Sequence, residues 1–325
     1  MTFVPTPFTT PVVTPNAVAG DAFRRIPYIS VSEYRFAPTA MNTTDLVPGS
    51  SNPADSDASL AEVVLRASAW VDEICFHRGN GTLAASVTTE SDWITVKPDG
   101  SLSLICNFKP ILEVVGVGLG PSPSQASNID SAVAADISIG NKVIYLPGSW
   151  NWSGPYPSFG GYPAYNGRAY VVWQYVNGYP HMSLAANVAQ GATSIQVTPA
   201  VAASFPSGVY ANTSLTIRDG ASTETVQVAS TPTSNTLELL SGTQFAHTVP
   251  ASPDALLISA LPWQVEQAAI SLATCLIKVR GSRAQVMATT PGGTPTRQAM
   301  AQAGAVGDFE DAVKMLKSFV TTYVH

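Results

Sequence analysis

The sequence predicts an α+β protein: an α-helical bundle core, interrupted by inserted antiparallel β regions and preceded by an extended N-terminal arm. Two matched apolar stripes carry the helical half of that prediction. Leu60, Val63, Val64, Ala67, Trp70, Val71 and Ile74 near one end, and Phe309, Ala312, Val313, Leu316, Phe319, Val320 and Tyr323 near the other, repeat at i, i+3, i+4, i+7, i+10, i+11 and i+14. That spacing puts side chains on one helix face, which must be buried against something. The third observation is a change of period: roughly two hundred residues between the stripes read as strand and turn.

Length and composition bound what such a core can be. A chain of 325 residues with 45% apolar content can bury about three quarters of its unfolded surface, in one to three domains. Charged residues make up only 12%, about half the usual share, and a surface so poor in charge suits cover by partners. The formal charge of -6, with no Lys/Arg run, argues against electrostatic binding of nucleic acid. Cys75, Cys106 and Cys275 are widely spaced within apolar runs and read as buried thiols, not a disulfide framework. No cationic start followed by an apolar run opens the chain, and no stretch has the length of a membrane span, so cytosol-like conditions are expected.

Residues 1–28 repeat Thr-Pro and Pro-Thr steps at Pro5, Pro7, Pro11 and Pro15, which fix φ and push preceding residues to extended geometry. Two readings stay open for this arm, a disordered terminus and a segment that orders on a neighbouring subunit. The helical core is expected over 29–82 and 259–325. Ser30 to Phe36 reads as one short helical turn, and Asp57 or Ser59 as the cap of the first long helix, which Gly79 to Gly81 ends.

A loop-rich β insertion is expected over 83–185. Its candidate strands are Ala84 to Thr89, Trp93 to Lys97, Leu102 to Asn107, Leu112 to Leu119, Lys142 to Leu146 and Tyr170 to Val176, with turns at Pro98-Asp99-Gly100 and Asn177-Gly178. Between the last two strands lie Trp150, Trp152, Tyr156, Phe159, Tyr162 and Tyr165, interleaved with Gly and Pro. Such rings can stack on sugars. The favoured reading is a loop that packs its own aromatics or covers a neighbour, because acidic and amide partners for sugar hydroxyls are sparse there. A small β meander is expected over 186–258, from Thr193 to Thr198, Ser214 to Arg218, Glu224 to Ala229 and Thr236 to Leu240, with Asp219-Gly220 closing the middle hairpin. Ala255 to Leu261 then leads back to helix.

Pro262 stands where a first-turn proline belongs, and Val265, Ala268, Ala269, Leu272, Leu276 and Val279 mark one face of the following helix. The opposite stripe, Gln264, Gln267, Ser271, Thr274 and Lys278, is narrow and almost uncharged, so that helix is expected to be contacted on more than one side. Asp308 is expected to cap the last helix, with Glu310 and Lys314 paired at i, i+4.

The residues that do chemistry elsewhere form no recognisable set. Of the four histidines, His77 alone is close to another ligand type, Cys75, and on a helix the two point about 200° apart, so no shared metal is expected. Gly-x-Ser-x-Gly, a phosphate-cradling Gly-rich loop followed by Lys, His-Glu-x-x-His and a dinucleotide fingerprint are all missing. Carboxylates converging from distant positions remain a hydrolase alternative that spacing does not address. No enzyme activity, cofactor or metal is expected.

The order of elements nonetheless has a likeness. The helix Leu60-Ala-Glu-Val-Val-Leu-Arg-Ala-Ser-Ala-Trp-Val-Asp-Glu-Ile-Cys75, the β region ending Tyr175-Val-Asn-Gly-Tyr-Pro180, Gly191-Ala-Thr-Ser-Ile-Gln-Val197, Leu215-Thr-Ile-Arg-Asp-Gly220 with Glu224-Thr-Val-Gln-Val228, and Leu261-Pro-Trp-Gln-Val-Glu-Gln-Ala-Ala269 together resemble head-to-tail adaptor (connector) proteins of long-tailed bacteriophages, of the actinobacterial-phage type. The resemblance covers about residues 28 to 280 and rests on residue flavour and element order. It implies a structural virion protein with a helical bundle core. Similar proteins assemble in host cytoplasm as a ring, commonly a dodecamer, in the head-tail neck below the portal protein. The ring extends the DNA channel and docks a stopper or tail-terminator protein, while genomic DNA passes without sequence-specific binding and no membrane takes part. The large β content and the aromatic loop depart from the smallest members.

On that reading the candidate subunit or portal interface is Trp263, Gln264, Gln267, Ser271, Thr274, Lys278, Tyr323 and His325. The alternative is a tail-tip or receptor-binding protein that uses Trp150, Trp152, Tyr156, Tyr162 and Tyr165 on host glycans.

Overall fold

The computed structural model describes residues 26–44, 46–47, 50, 52–76, 81–97, 100–120, 123, 127–128, 137–146, 168–198, 208–232, 234–279 and 304–320. In chain order these form α1 (Val31–Phe36), α2 (Pro53–Cys75), β1 (Ser86–Thr95), β2 (Leu102–Ile105), β3 (Ile111–Gly120), β4 (Ser127–Asn128), β5 (Ser138–Ile139), β6 (Val143–Leu146), β7 (Arg168–Asn177), β8 (His181–Leu184), β9 (Ser194–Thr198), β10 (Ser214–Arg218), β11 (Glu224–Gln227), β12 (Thr236–Glu238), β13 (Leu257–Ser259), α3 (Trp263–Val279) and α4 (Val306–Leu316). The protein is therefore mostly β, with its strands in three antiparallel sheets. This corrects the expected helical bundle core. An amphipathic stripe shows that a helix has one buried face; it does not show how much of the core the helices supply.

Among the described residues the chain divides into two compact units, one within 85–178 and the other formed by the segments 26–84 and 179–320. In the first unit, a four-stranded sheet has the order β1-β7-β3-β4 and a three-stranded sheet the order β2-β6-β5. Strand β7 alternates, burying Ala169, Val171, Trp173 and Tyr175, which join Leu102, Leu104, Ile144 and Leu146 from β2 and β6 in one apolar cluster. Each fully buried Leu or Ile here contributes about 1.5–3 kcal/mol. The candidate strands Ala84 to Thr89 and Trp93 to Lys97 are a single strand, β1, paired along its whole length with β7.

The second unit holds a six-stranded sheet, β11-β10-β13-β8-β9-β12, and the helices α1 to α4. Its first and last strands are joined at one end, where Ala229 N donates to Glu238 O at 2.7 Å and Leu240 N to Gln227 O at 2.8 Å around the Val228–Leu239 bridge. The curled sheet encloses Met182, Leu184, Ile195, Val197, Leu215, Ile217, Val226, Leu237 and Ile258. The expected four-strand meander is corrected too: β13 and β8 lie at the centre of the sheet, between β10 and β9. Both are short and buried at every position, so neither shows the alternation that marks a half-buried strand. Asp219-Gly220 does not close a two-residue hairpin. It opens a 3-10 turn, Gly220–Ser222, with Gly220 in the left-handed region at φ 51°.

The helices pack as a layer of this unit. On α2, Leu60, Val64, Ala67, Trp70 and Val71 are buried, and Trp70 stacks on Phe309 of α4 with ring centroids 5.2 Å apart. Helix α2 starts earlier than expected because Asn52 caps it, accepting from Ala54 N at 3.2 Å, with Pro53 following. Asp57 instead pairs with Arg35. Helix α4 starts at Val306, so Asp308 lies in its first turn and does not cap it. Lys314 pairs with Asp311 at 3.2 Å, and Val313 is exposed. Phe319 and Val320 lie beyond the end of α4. The expected helix stop at Gly79 to Gly81 is replaced by the end of α2 at Cys75; a Cβ on Gly81 would lie 2.5 Å from the Phe76 ring.

Candidate functional site

Helix α3 begins directly after Pro262, whose carbonyl accepts from Val265 N at 2.9 Å. Its inward face is Val265, Ala268, Ala269, Leu272, Ala273 and Cys275, all buried. On the opposite side Trp263 is 67% exposed, and Gln264, Gln267 and Ser271 follow it, half-buried. Further along, the strip is already occupied by the chain itself. Thr274 is buried, with its hydroxyl 3.1 Å from Tyr34 Oη, and Lys278 donates to Asp308 of α4 at 2.6 Å. The surface half of the predicted strip is therefore its first two turns. Tyr323 and His325 lie outside the described residues, as do Trp150, Trp152, Tyr156, Tyr162 and Tyr165 of the aromatic loop and the N-terminal arm up to residue 25.

Short as it is, α1 is anchored at its start. Ser30 and Glu33 form a capping box, Glu33 N donating to Ser30 Oγ at 3.0 Å and Ser30 N to Glu33 Oε2 at 2.6 Å. Asp254 adds a second cap, accepting from Val31 N at 2.8 Å and Ser32 N at 3.2 Å. Glu33 also faces Arg218 of β10 at 3.8 Å, and the same guanidinium pairs with Glu266 of α3. Burial pushes the Glu33 carboxyl up, with the Ser30 amide and Arg218 pulling it back, and burial lowers Arg218. One guanidinium between two carboxylates ties the sheet to two helices.

A second polar cluster is fully buried. Tyr28 Oη donates to Asp72 Oδ1 at 2.5 Å, lies 2.8 Å from Thr82 Oγ1, and accepts from Leu83 N at 3.0 Å. Burial, then the Asp72 charge, holds the Tyr28 hydroxyl well above its ordinary value. The Tyr28 ring meets His181 edge-on at 5.5 Å. His181 Nε2 is 2.9 Å from Pro27 O, an acceptor, so that nitrogen carries the proton and Nδ1 accepts from Ser259 Oγ at 2.9 Å. Burial, opposed by Pro27 O and aided by Arg218, lowers the ring to about 4. A histidine that accepts a serine proton is half of a nucleophile pair. Here both residues are 1% exposed and the second ring nitrogen is turned to the Pro27 carbonyl, so the pair braces the fold.

Two further carboxylates stand in strands, Glu90 half-buried and Glu224 buried. In the first unit, Glu90 accepts from Tyr175 Oη at 2.6 Å and from Asn107 N at 3.0 Å; burial pushes its carboxyl up against these donors. In the second, His247 is buried with Nδ1 3.0 Å from Asp219 Oδ2 and Nε2 2.7 Å from Glu224 Oε1. Burial alone would raise Glu224, but the Gln244 amide, the His247 ring and the Phe245 amide together hold it below its ordinary value. The reading of Asp219-Gly220 as a hairpin turn did not reach this cluster. The signal was present in the alternation, since Glu224 falls in phase with Val226 and Val228 on the buried face.

All three cysteines are free and buried. Among the described residues no group of three or more His, Cys, Asp and Glu is placed to hold a metal ion, and no helix is long and apolar enough to cross a membrane. Comparison with known proteins finds no matching family model, curated protein or solved structure.

Proposed function

We propose that the chain is a structural virion protein, a head-to-tail adaptor that assembles as a ring below the portal and links head to tail. The observation that carries the reading is Trp263. A large indole left 67% exposed at the start of a rigid helix, followed by the uncharged, half-buried Gln264, Gln267 and Ser271, is the composition of a protein-binding patch: an aromatic anchor among groups that are cheap to desolvate. The resemblance in element order between about residues 28 and 280 supports the same reading. The patch differs from the expected interface in stopping short of Thr274 and Lys278, whose side chains bind within the chain.

The test is light scattering and electron microscopy of the purified chain, alone and mixed with its portal. Rings that form on mixing, and that Trp263→Ala prevents without moving the thermal midpoint, support the proposal. A chain that stays monomeric and never joins a portal or tail ring refutes it, and glycan-array binding would favour the receptor-binding alternative.

A further inference from the structure

We infer that Asp219, His247 and Glu224 form a proton-operated clamp on the loop that follows β12. The loop runs beside residues 188–192: His247 N donates to Val188 O at 2.8 Å, Gly191 N to Thr243 O at 2.8 Å, and Thr243 N to Ala192 O at 3.0 Å. Contact is close enough that a Cβ on Gly242 would lie 2.7 Å from Gly191 O. On the other side the loop is held by one carboxylate. Glu224 accepts from Gln244 N at 2.7 Å and from Phe245 N at 3.1 Å while also receiving His247 Nε2.

A carboxylate can only accept, so a ring with carboxylates at 3.0 Å and 2.7 Å on its two nitrogens satisfies both only as the doubly protonated imidazolium. Loss of either proton turns a lone pair toward an anion. Among the described residues, Asp219 and Glu224 are the charged partners that meet the ring. Residues 188–192 and 243–246 carry none, and Arg218, next to Asp219, is engaged with Glu33 and Glu266. The sign follows. The ring bonds both carboxylates only while it carries both protons. Glu224 is depressed, so its contribution is present above the ordinary carboxylate range and lost as pH falls through its folded value. The loop is held most firmly while Glu224 is ionised and the ring is doubly protonated. It carries Leu240 and Phe245, 55% and 40% exposed, so the clamp sets how firmly these apolar side chains are presented.

The test is nitrogen-15 NMR of the histidine rings together with amide hydrogen exchange, between about pH 5 and about pH 9. At the acidic end both His247 nitrogens should carry protons. As the ring loses one, protection factors at Gln244 and Phe245 should fall about tenfold, while β10 amides stay constant. His247→Gln should flatten that dependence. Asp219→Asn, at a site one third exposed, covers the case in which His247→Gln does not fold, and should move the ring midpoint to lower pH. A singly protonated ring throughout, flat protection across its titration, an unflattened His247→Gln profile, or an unmoved midpoint in Asp219→Asn would each overturn the inference.

Discussion

Replacing Tyr28 with Phe removes one oxygen from a buried polar cluster and leaves the ring's packing in place. That oxygen donates to Asp72 at 2.5 Å, contacts Thr82 Oγ1 at 2.8 Å and accepts from Leu83 N at 3.0 Å. Leu83 N keeps a second acceptor, Asp72 Oδ1 at 3.0 Å, so its loss is partial. The principal cost is a charge-assisted bond to a carboxylate that is only 5% exposed, and a bond of that kind is worth about 1.5–3 kcal/mol. The phenyl ring still meets His181 edge-on, so no cavity term adds. For a unit of this size, about 2 kcal/mol lowers the unfolding midpoint by about 4–8 °C. Calorimetry of the variant, beside Lys314→Ala at the exposed Lys314–Asp311 pair as a control expected to change nothing, measures it. A Tyr28→Phe midpoint that matches the control would refute the view that this hydroxyl holds Asp72, and with it the assignment of the cluster as a brace.

Other consequences follow from burial and titration. Leu316 is fully buried at the end of α4, so Leu316→Asp should abolish the cooperative unfolding transition of its unit, because a buried charge without a partner costs several kcal/mol; circular dichroism during heating checks this. His181 titrates near 4 when folded, against an ordinary 6.5. The unfolded chain therefore binds the extra proton first, and stability is full above about 6.5 and declines by about 3 kcal/mol as pH falls to about 4. Denaturant titrations across that range should show the slope, and His181→Gln should reduce it. Cys75, Cys106 and Cys275 are buried and their thiols are pushed up to about 12. Alkylation at neutral pH should therefore label none of them until the protein unfolds, as mass spectrometry would show.

Local signals in the sequence translate into local structure. The short helical turn from Ser30 to Phe36, the buried face of α2, the alternation of β7 and β10, and the apolar settings of the cysteines all read correctly, because each depends on neighbours within one turn or one strand pair. Helix starts were less legible. Asn52-Pro53 and Asp57 are both acceptable openings for α2, and the choice fell to Asn52 once Arg35 engaged Asp57. The site residues divide the same way. Trp263 stands out as an apolar ring on an uncharged stripe, whereas nothing within five residues of His247 announces Asp219 or Glu224, which reach it from 28 and 23 positions away.

The sequence by itself determined where the long helices α2 and α3 lie, which strands alternate, and that charge is scarce, since propensity and periodicity are properties of short windows. Only the tertiary structure decided that sheets, not helices, supply most of the core. Two buried central strands, β8 and β13, carry no period to read, and their pairing joins residues more than seventy positions apart. Only there, too, were Arg218, His181 and His247 given partners, because a buried polar side chain is satisfied by whatever the folded chain brings to it.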